Sequence, residues 1–206
     1  MRPLPRVHAV TDAAVRALPD LGVRAAAIAS AGSAVALHAR DRSATAAELA
    51  GLAERFVAHA LPAESAAFVS GRADVARAVG AQGVQLAAGD LAPNEIRTAF
   101  GPLWVGRSVH SIPEARAAVA EGADYLLLGN VFPTASHPGR APLGLEAVRE
   151  VSTLGLPVVA IGGITVARAR ELRVAGAYGV AAIRALWLAD DPARAALAFL
   201  EEWTDD

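Results

Sequence analysis

The chain has 206 residues and a formal net charge of −2, with 54% hydrophobic and 19% charged residues. These values predict one globular domain over residues 1–206 and leave no basic field that would attract nucleic acid. Cysteine is absent, and all 19 basic residues are arginine because the chain has no lysine. Disulfides, thiolate chemistry and lysine Schiff bases are therefore excluded.

No apolar stretch is long enough to span a bilayer, and the first residues lack the apolar segment of a secretory signal. We therefore expect a cytoplasmic protein with no membrane partner.

Apolar runs typical of buried strands alternate with alanine-rich helical patterns along the chain. Strands are predicted at Val7–Thr11, Ala34–Ala39, Ala66–Ser70, Gly83–Leu86, Trp104–Ser108, Tyr125–Val131, Val158–Ile161 and Gly179–Ile183. Helices are predicted near 21–31, 45–60, 72–79, 93–99, 113–120, 144–153, 166–174 and 191–202. Eight such pairs favour a single closed (β/α)8 TIM barrel, and an open flavodoxin-like sheet is the alternative.

Two glycines follow the seventh predicted strand. Gly162 and Gly163 allow backbone N–H groups to approach a ligand, and the helix that follows favours an anion. Because the loops after strands seven and eight commonly hold phosphate in such barrels, we predict a phosphate site at Gly162, Gly163 and Arg184. A tight turn without a ligand is the other interpretation of the glycines.

The remaining candidates are polar residues near the carboxyl ends of strands, the rim that carries active sites in barrels. Those predicted to bind substrate are His38, Arg40, Arg42, Ser70, Arg72, Ser108, Thr134 and Ser136. Arg40 could instead pair with a carboxylate such as Asp74. The irregular stretch 133–142 is interpreted as a lid, and His8 and His59 are assigned structural roles.

The chain resembles the thiamine phosphate synthase superfamily over nearly its whole length. The resemblance is carried by the segments HAVTD (8–12), HARDR (38–42), GRSVHS (106–111), GNVFPT (129–134), VAIGGI (159–164) and GVAAIRA (179–185). It implies a compact (β/α)8 barrel and one of two activities. A synthase couples a pyrimidine diphosphate to a thiazole phosphate with Mg²⁺, and a thiazole tautomerase aromatises a thiazole phosphate carboxylate without metal.

Departures from the family motifs point towards the tautomerase branch. The synthase pattern Gln-x-Arg-x-Lys is replaced by His38, Arg40 and Arg42, and the Asp that binds magnesium is replaced by Gly71. The lysine of the synthase lid is replaced by His137. Asp90 remains as a second carboxylate, which alone would make a poor Mg²⁺ site.

The catalytic histidine of the tautomerase motif is also replaced, because Asn130 follows Gly129. An amide cannot act as a base near neutral pH, so the predicted proton carriers are His137 and then His110, with Asn130 orienting the ligand. We therefore expect a thiazole phosphate tautomerase with no cofactor. The alternatives are a divergent synthase, which alone would need Mg²⁺, and a non-catalytic binder. The expected partner is a small thiazole phosphate, and a homodimer is left open.

Overall fold

The computed structural model describes residues 3–134, 139 and 141–203. Its strands are β1 (Val7–Val10), β2 (Val35–Ala39), β3 (Ala66–Ser70), β4 (Gly83–Leu86), β5 (Trp104–Val109), β6 (Tyr125–Gly129), β7 (Val158–Ile161) and β8 (Gly179–Ala182). Each strand pairs in parallel with the next, and β8 returns to β1, so the sheet closes in the order β1 to β8. The predicted (β/α)8 barrel is confirmed.

Ten helices lie in the described part of the chain. They are α1 (Ala13–Arg16), α2 (Leu21–Ala29), α3 (Ala46–Ala60), α4 (Ala73–Val79), α5 (Pro93–Phe100), α6 (Ile112–Ala120), α7 (Gly144–Ser152), α8 (Val166–Val174), α9 (Arg184–Trp187) and α10 (Pro192–Glu201). The eight predicted helices are present, and the four-residue helices α1 and α9 were not predicted. None of the described helices is long and apolar enough to cross a membrane.

Alternation along the strands sorts side chains between two packed regions. On β2, Val35, Leu37 and Ala39 face the helices, whereas Ala36 belongs to the cluster that fills the barrel interior. His38 shares the inward face with Ala36, and its side chain is fully buried. Polar groups at inward positions near the carboxyl ends of strands are therefore carried to one end of the barrel.

The floor of the interior is aromatic and tightly packed. Phe68 and Tyr125 meet edge to face with ring centroids 6.1 Å apart, and both are fully buried. Gly106 makes room for this packing, because a Cβ placed there would lie 2.2 Å from Tyr125 Cζ and 2.4 Å from Gln85 Oε1. The aromatic floor closes the interior beneath the polar rim.

Candidate functional site

A cavity of about 890 Å³ opens at the carboxyl ends of the strands. Its volume is within the range that holds a small organic ligand. The predicted site residues that line it are His38, Arg40, Arg42, Ser70, Ser108, His110, Asn130, Thr134, Gly162, Gly163 and Arg184. The structure thus brings together residues that are spread over most of the chain.

Within the described part of the chain, one predicted site residue, Arg72, is not among those lining the cavity. Arg72 forms an ion pair with Asp74, at 2.5 Å between Arg72 Nη2 and Asp74 Oδ2, and its side chain is 43% exposed. Ser136 and His137 lie outside the described residues, so their predicted roles stay predictions.

Arg40 and Arg42 supply positive charge on the β2 side of the cavity. Asp74 contacts Arg72 instead, and Asp41 is held by Arg16 at 2.5 Å. Within the described residues neither Arg40 nor Arg42 makes a side-chain hydrogen bond or an ion pair. The pKa of Arg40 is lowered, mainly by burial and to a smaller extent by the positive charge of Arg42. The charges of Asp12 and Asp41 act on Arg40 in the opposite direction, but neither carboxylate forms an ion pair with it. Guanidinium groups that line a cavity without an ion-paired carboxylate are suited to an anionic ligand.

The glycine pair after β7 forms another side of the same cavity. Gly162 has φ +102° and Gly163 has φ +64°, a region that favours glycine. A Cβ at Gly162 would lie 2.6 Å from Asn130 Cβ, and one at Gly163 would lie 2.5 Å from the Pro133 carbonyl oxygen. Both glycines are therefore required by the close approach of the β7 and β6 loops, whether or not an anion binds there.

Arg184 lies where β8 turns into α9. It is exposed and lines the cavity, and its side chain has no hydrogen-bond or ion-pair partner in the part of the chain that the structure describes. Its guanidinium is therefore available to a ligand at the glycine end of the cavity.

His110 and Asn130 lie beside one another at the ends of β5 and β6. The Nδ1 atom of His110 is hydrogen-bonded to the carbonyl oxygen of Gly129, which can only accept. Nδ1 therefore carries the proton, and Nε2 of the neutral ring is an acceptor. Asn130 is buried; its Nδ2 donates weakly to the Phe132 carbonyl at 3.5 Å, and its Oδ1 has no partner among the described residues.

Gln85 on β4 is a site residue that the predicted list omitted. It is 4% exposed and lines the cavity, its Nε2 donates to Ser108 Oγ at 3.0 Å, and its Oε1 is unpaired within the described residues. Its position one residue before the end of a strand was the signal that could have identified it. Asp12, Asp41, Ser43 and Asp90 also line the cavity.

The donor atoms on the β3–β4 side do not fit a resident Mg²⁺. A Cβ at Gly71 would lie 3.6 Å from Asp90 Oδ2, so a carboxylate at position 71 would stand beside Asp90. Because position 71 is glycine, that carboxylate is missing, and Asp90 Oδ2 already accepts a hydrogen bond from Ala87 N at 2.7 Å. Among the described residues no three His, Cys, Asp or Glu side chains cluster as metal ligands. Magnesium prefers several oxygen ligands in an octahedral arrangement, which one engaged carboxylate does not supply.

Comparison with known proteins decides the family. The family model described as thiamine monophosphate synthase matches residues 7–186. The chain belongs to the thiamine monophosphate synthase family. It is 40% identical to a protein of Salinispora arenicola named thiamine-phosphate synthase, over 99% of this chain and all of that protein.

Other members of the thiamine monophosphate synthase family extend the similarity. A thiamine-phosphate synthase of Pyrococcus horikoshii is 45% identical over 130 residues, which are 62% of each protein. The solved thiamine phosphate pyrophosphorylase of Pyrococcus furiosus superposes with a TM-score of 0.82 at 32% identity, over 96% of this chain and 94% of the other. A 3-hexulose-6-phosphate synthase superposes with a TM-score of 0.67 at 18% identity, which shows the fold alone. The chain is therefore an enzyme of the thiamine biosynthesis family that the sequence motifs indicated, and its relatives are named synthases rather than tautomerases.

Proposed function

We propose that the chain couples a pyrimidine diphosphate to a thiazole phosphate in this cavity. The observation that carries the proposal is a pair of guanidinium groups, those of Arg40 and Arg42, which line the cavity and make no ion pair within the described residues. The diphosphate of the synthase substrate carries several negative charges, whereas the carboxylate of the tautomerase substrate carries one. Two arginines are therefore better matched to the diphosphate. The full-length similarity to the Salinispora synthase supports the same reaction.

The thiazole phosphate is placed with its phosphate at Gly162, Gly163 and Arg184. The helix α8 begins just beyond these glycines, and its N-terminal N–H groups favour an anion. In the closed sheet order, β7 and β2 are separated by β8 and β1. The two anionic ends of the substrates would therefore occupy different sides of one cavity, with the reacting atoms between them.

In the coupling, the thiazole ring nitrogen forms a bond to the carbon that carries the diphosphate, and the C–O bond to that group breaks, so diphosphate leaves with the electron pair. Arg40 and Arg42 would stabilise the negative charge that develops on the leaving diphosphate, because preorganised cations at a developing charge lower the barrier. The donor set does not fit a resident Mg²⁺, so no step of this proposal depends on a metal.

A thiazole tautomerase is the second candidate, and the Gly71 gap beside Asp90 favours it. In that reaction the Nε2 atom of His110 would accept a ring proton and return it to the exocyclic carbon, while Asn130 orients the ring. The prediction that His137 carries the proton concerns a residue outside the described part of the chain. The cytoplasmic location and the single-domain organisation also stay predictions.

One set of incubations separates the candidates. The protein is mixed with thiazole phosphate and pyrimidine diphosphate, with and without Mg²⁺, and separately with the unaromatised thiazole phosphate carboxylate alone, and products are followed by ¹H NMR. We expect the coupled product and free diphosphate from the two substrates both with and without Mg²⁺, because no step of the proposal depends on a metal. Aromatisation of the carboxylate without coupling would assign the tautomerase, and binding without turnover would assign a non-catalytic binder.

A matched pair of variants tests the role of the β2 arginines. Arg42→Gln should lower turnover by about 10²-fold or more, because a charge that stabilises the transition state is removed. Arg149→Gln removes an exposed arginine of α7 that pairs with Glu146, outside the cavity lining. That variant should keep full turnover, and equal effects of the two changes would refute the assignment.

A further inference from the structure

Two histidines from neighbouring strands meet inside the barrel beneath the cavity. His8 on β1 and His38 on β2 are both fully buried. His8 Nδ1 and His38 Nε2 are 2.7 Å apart, and His8 Nε2 is 2.9 Å from the carbonyl oxygen of Pro5. The sequence pattern assigned His8 a structural role, and the structure shows that it contacts a cavity residue.

Both rings are neutral near pH 7. Burial lowers the pKa of His8 to about 4 and, with the neighbouring His8 as a smaller cause, lowers that of His38 well below its ordinary value. A neutral imidazole carries one N–H and one bare acceptor nitrogen. The position of each proton is therefore determined by the partner of each nitrogen.

The Pro5 carbonyl determines the proton positions in the whole chain of contacts. A carbonyl oxygen only accepts, so the proton of His8 must lie on Nε2. His8 Nδ1 is then bare and must accept from His38 Nε2, which therefore carries the proton of the second ring. The remaining nitrogen, His38 Nδ1, is left as a bare acceptor.

No described residue satisfies this last nitrogen. His38 Nδ1 is buried and has no hydrogen-bond partner in the described residues, and His38 is one of the residues that line the cavity. Phe68 stacks on the ring with centroids 4.8 Å apart and an interplanar angle of 8°, which holds its plane. Buried polar atoms usually have a partner, so an unpaired one in a cavity wall indicates a place for a ligand atom.

We propose that His8 is a positioning residue that holds His38 as a one-sided hydrogen-bond acceptor, which selects ligand rings carrying an N–H donor. A ligand that presents an oxygen or bare nitrogen there would meet a lone pair and be rejected. The proposal rests on the proposed function in one respect, which is that the ligand ring bearing the N–H donor is the pyrimidine. The proton positions within the histidine pair do not depend on it.

The first test reads the proton positions directly. Long-range ¹H–¹⁵N correlation spectra of the full chain, labelled with ¹⁵N-histidine, distinguish the two neutral tautomers at pH 7.5. We expect His8 and His38 both as neutral rings protonated on Nε2. A proton on His38 Nδ1, or a charged ring at this pH, would overturn the proposal.

The second test compares two ligands on three proteins by titration calorimetry. The ligands are a pyrimidine diphosphate with a ring amino group and the same molecule without it. The wild type should bind the amino compound about tenfold more tightly. His8→Asn keeps an acceptor near the position of Nδ1 and should retain most of this ratio, whereas His8→Phe keeps the ring shape, loses the acceptor and should bring the ratio close to one.

The ratio separates positioning from general structural damage. A loosened barrel would weaken both ligands together, so their ratio would stay unchanged in His8→Phe, and that result would overturn the proposal. Equal affinities in the wild type, or binding of neither compound, would overturn it too. A protein that discriminates the ligands but forms no coupled product would refute the proposed reaction and leave the histidine assignment standing.

Discussion

The buried histidine pair should make the protein lose stability between pH 6.5 and pH 4. The pKa of His8 is 6.5 in an unfolded chain and about 4 in the fold, because burial disfavours the charged ring. In this window the unfolded chain binds a proton that the folded protein excludes, so the free energy of unfolding falls as pH falls. The stabilisation is fully present above pH 6.5 and is lost on approach to pH 4.

The size of the effect follows from the shift. A change of about 2.5 pKa units at about 1.4 kcal/mol per unit gives a loss of about 3.5 kcal/mol from His8 alone. His38 acts in the same direction. Domains are stable by about 5–15 kcal/mol, so the loss is a large fraction of the total. The pKa values of Asp41, Glu48 and Asp74 are lowered by their hydrogen-bonding partners, so those groups stop stabilising the fold only below about pH 4.5.

Urea unfolding at pH 7.0, 6.0, 5.0 and 4.5 measures this directly. His8→Phe should reduce the pH slope by about 1.4 kcal/mol per pH unit within the window, because one titrating group is removed. Tyr125→Phe changes the same interior cluster without removing a histidine and should keep the wild-type slope. A wild type whose free energy of unfolding is flat from pH 6.5 to 4.5, or a His8→Phe variant that keeps the full slope, would refute the reasoning.

Three further predictions concern glycines and the rim. Gly71→Asp places a second carboxylate beside Asp90 and should raise the affinity for Mn²⁺, measured by electron paramagnetic resonance. The positive φ of +71° at this position should cost about 1 kcal/mol of strain. Unchanged affinity would show that the two positions do not share a site. Gly106→Ala forces a methyl group against Tyr125 and should lower the free energy of unfolding by about 1–3 kcal/mol in urea titrations, whereas no change would contradict the packing of the floor. Arg184→Ala should weaken binding of thiazole phosphate about tenfold in calorimetric titrations, and equal affinity would show that this side chain does not reach the phosphate.

The sequence predicted the barrel because every strand and long helix has its own local signal. The alternation of apolar runs and helical patterns identified all eight strands to within two residues at each end. The helices α1 and α9 were missed because four residues contain too little of the 3.6-residue period to be recognised. The rim residues were predictable for the same reason as the strands, since a barrel carries all strand ends to one face.

Contacts between strands were not predictable from local patterns. His8 and His38 are 30 residues apart, and only the packing of β1 against β2 brings their rings together. The ion pair of Arg72 with Asp74 is local, but whether side chains two residues apart meet depends on the turn that begins α4, which the apolar pattern does not determine. Such features depend on register and loop geometry rather than on periodicity.

We propose that the cavity binds a thiazole phosphate through its phosphate group, at Gly162, Gly163 and Arg184. The most direct test is calorimetric titration of the wild-type protein with thiazole phosphate and with the same thiazole alcohol lacking the phosphate. We expect the phosphate ester to bind at least about 100-fold more tightly than the alcohol, since charge-assisted hydrogen bonds at the glycine turn and Arg184 are available only to the ester. Equal affinity for the two compounds, or no binding of the phosphate ester, would contradict this phosphate site.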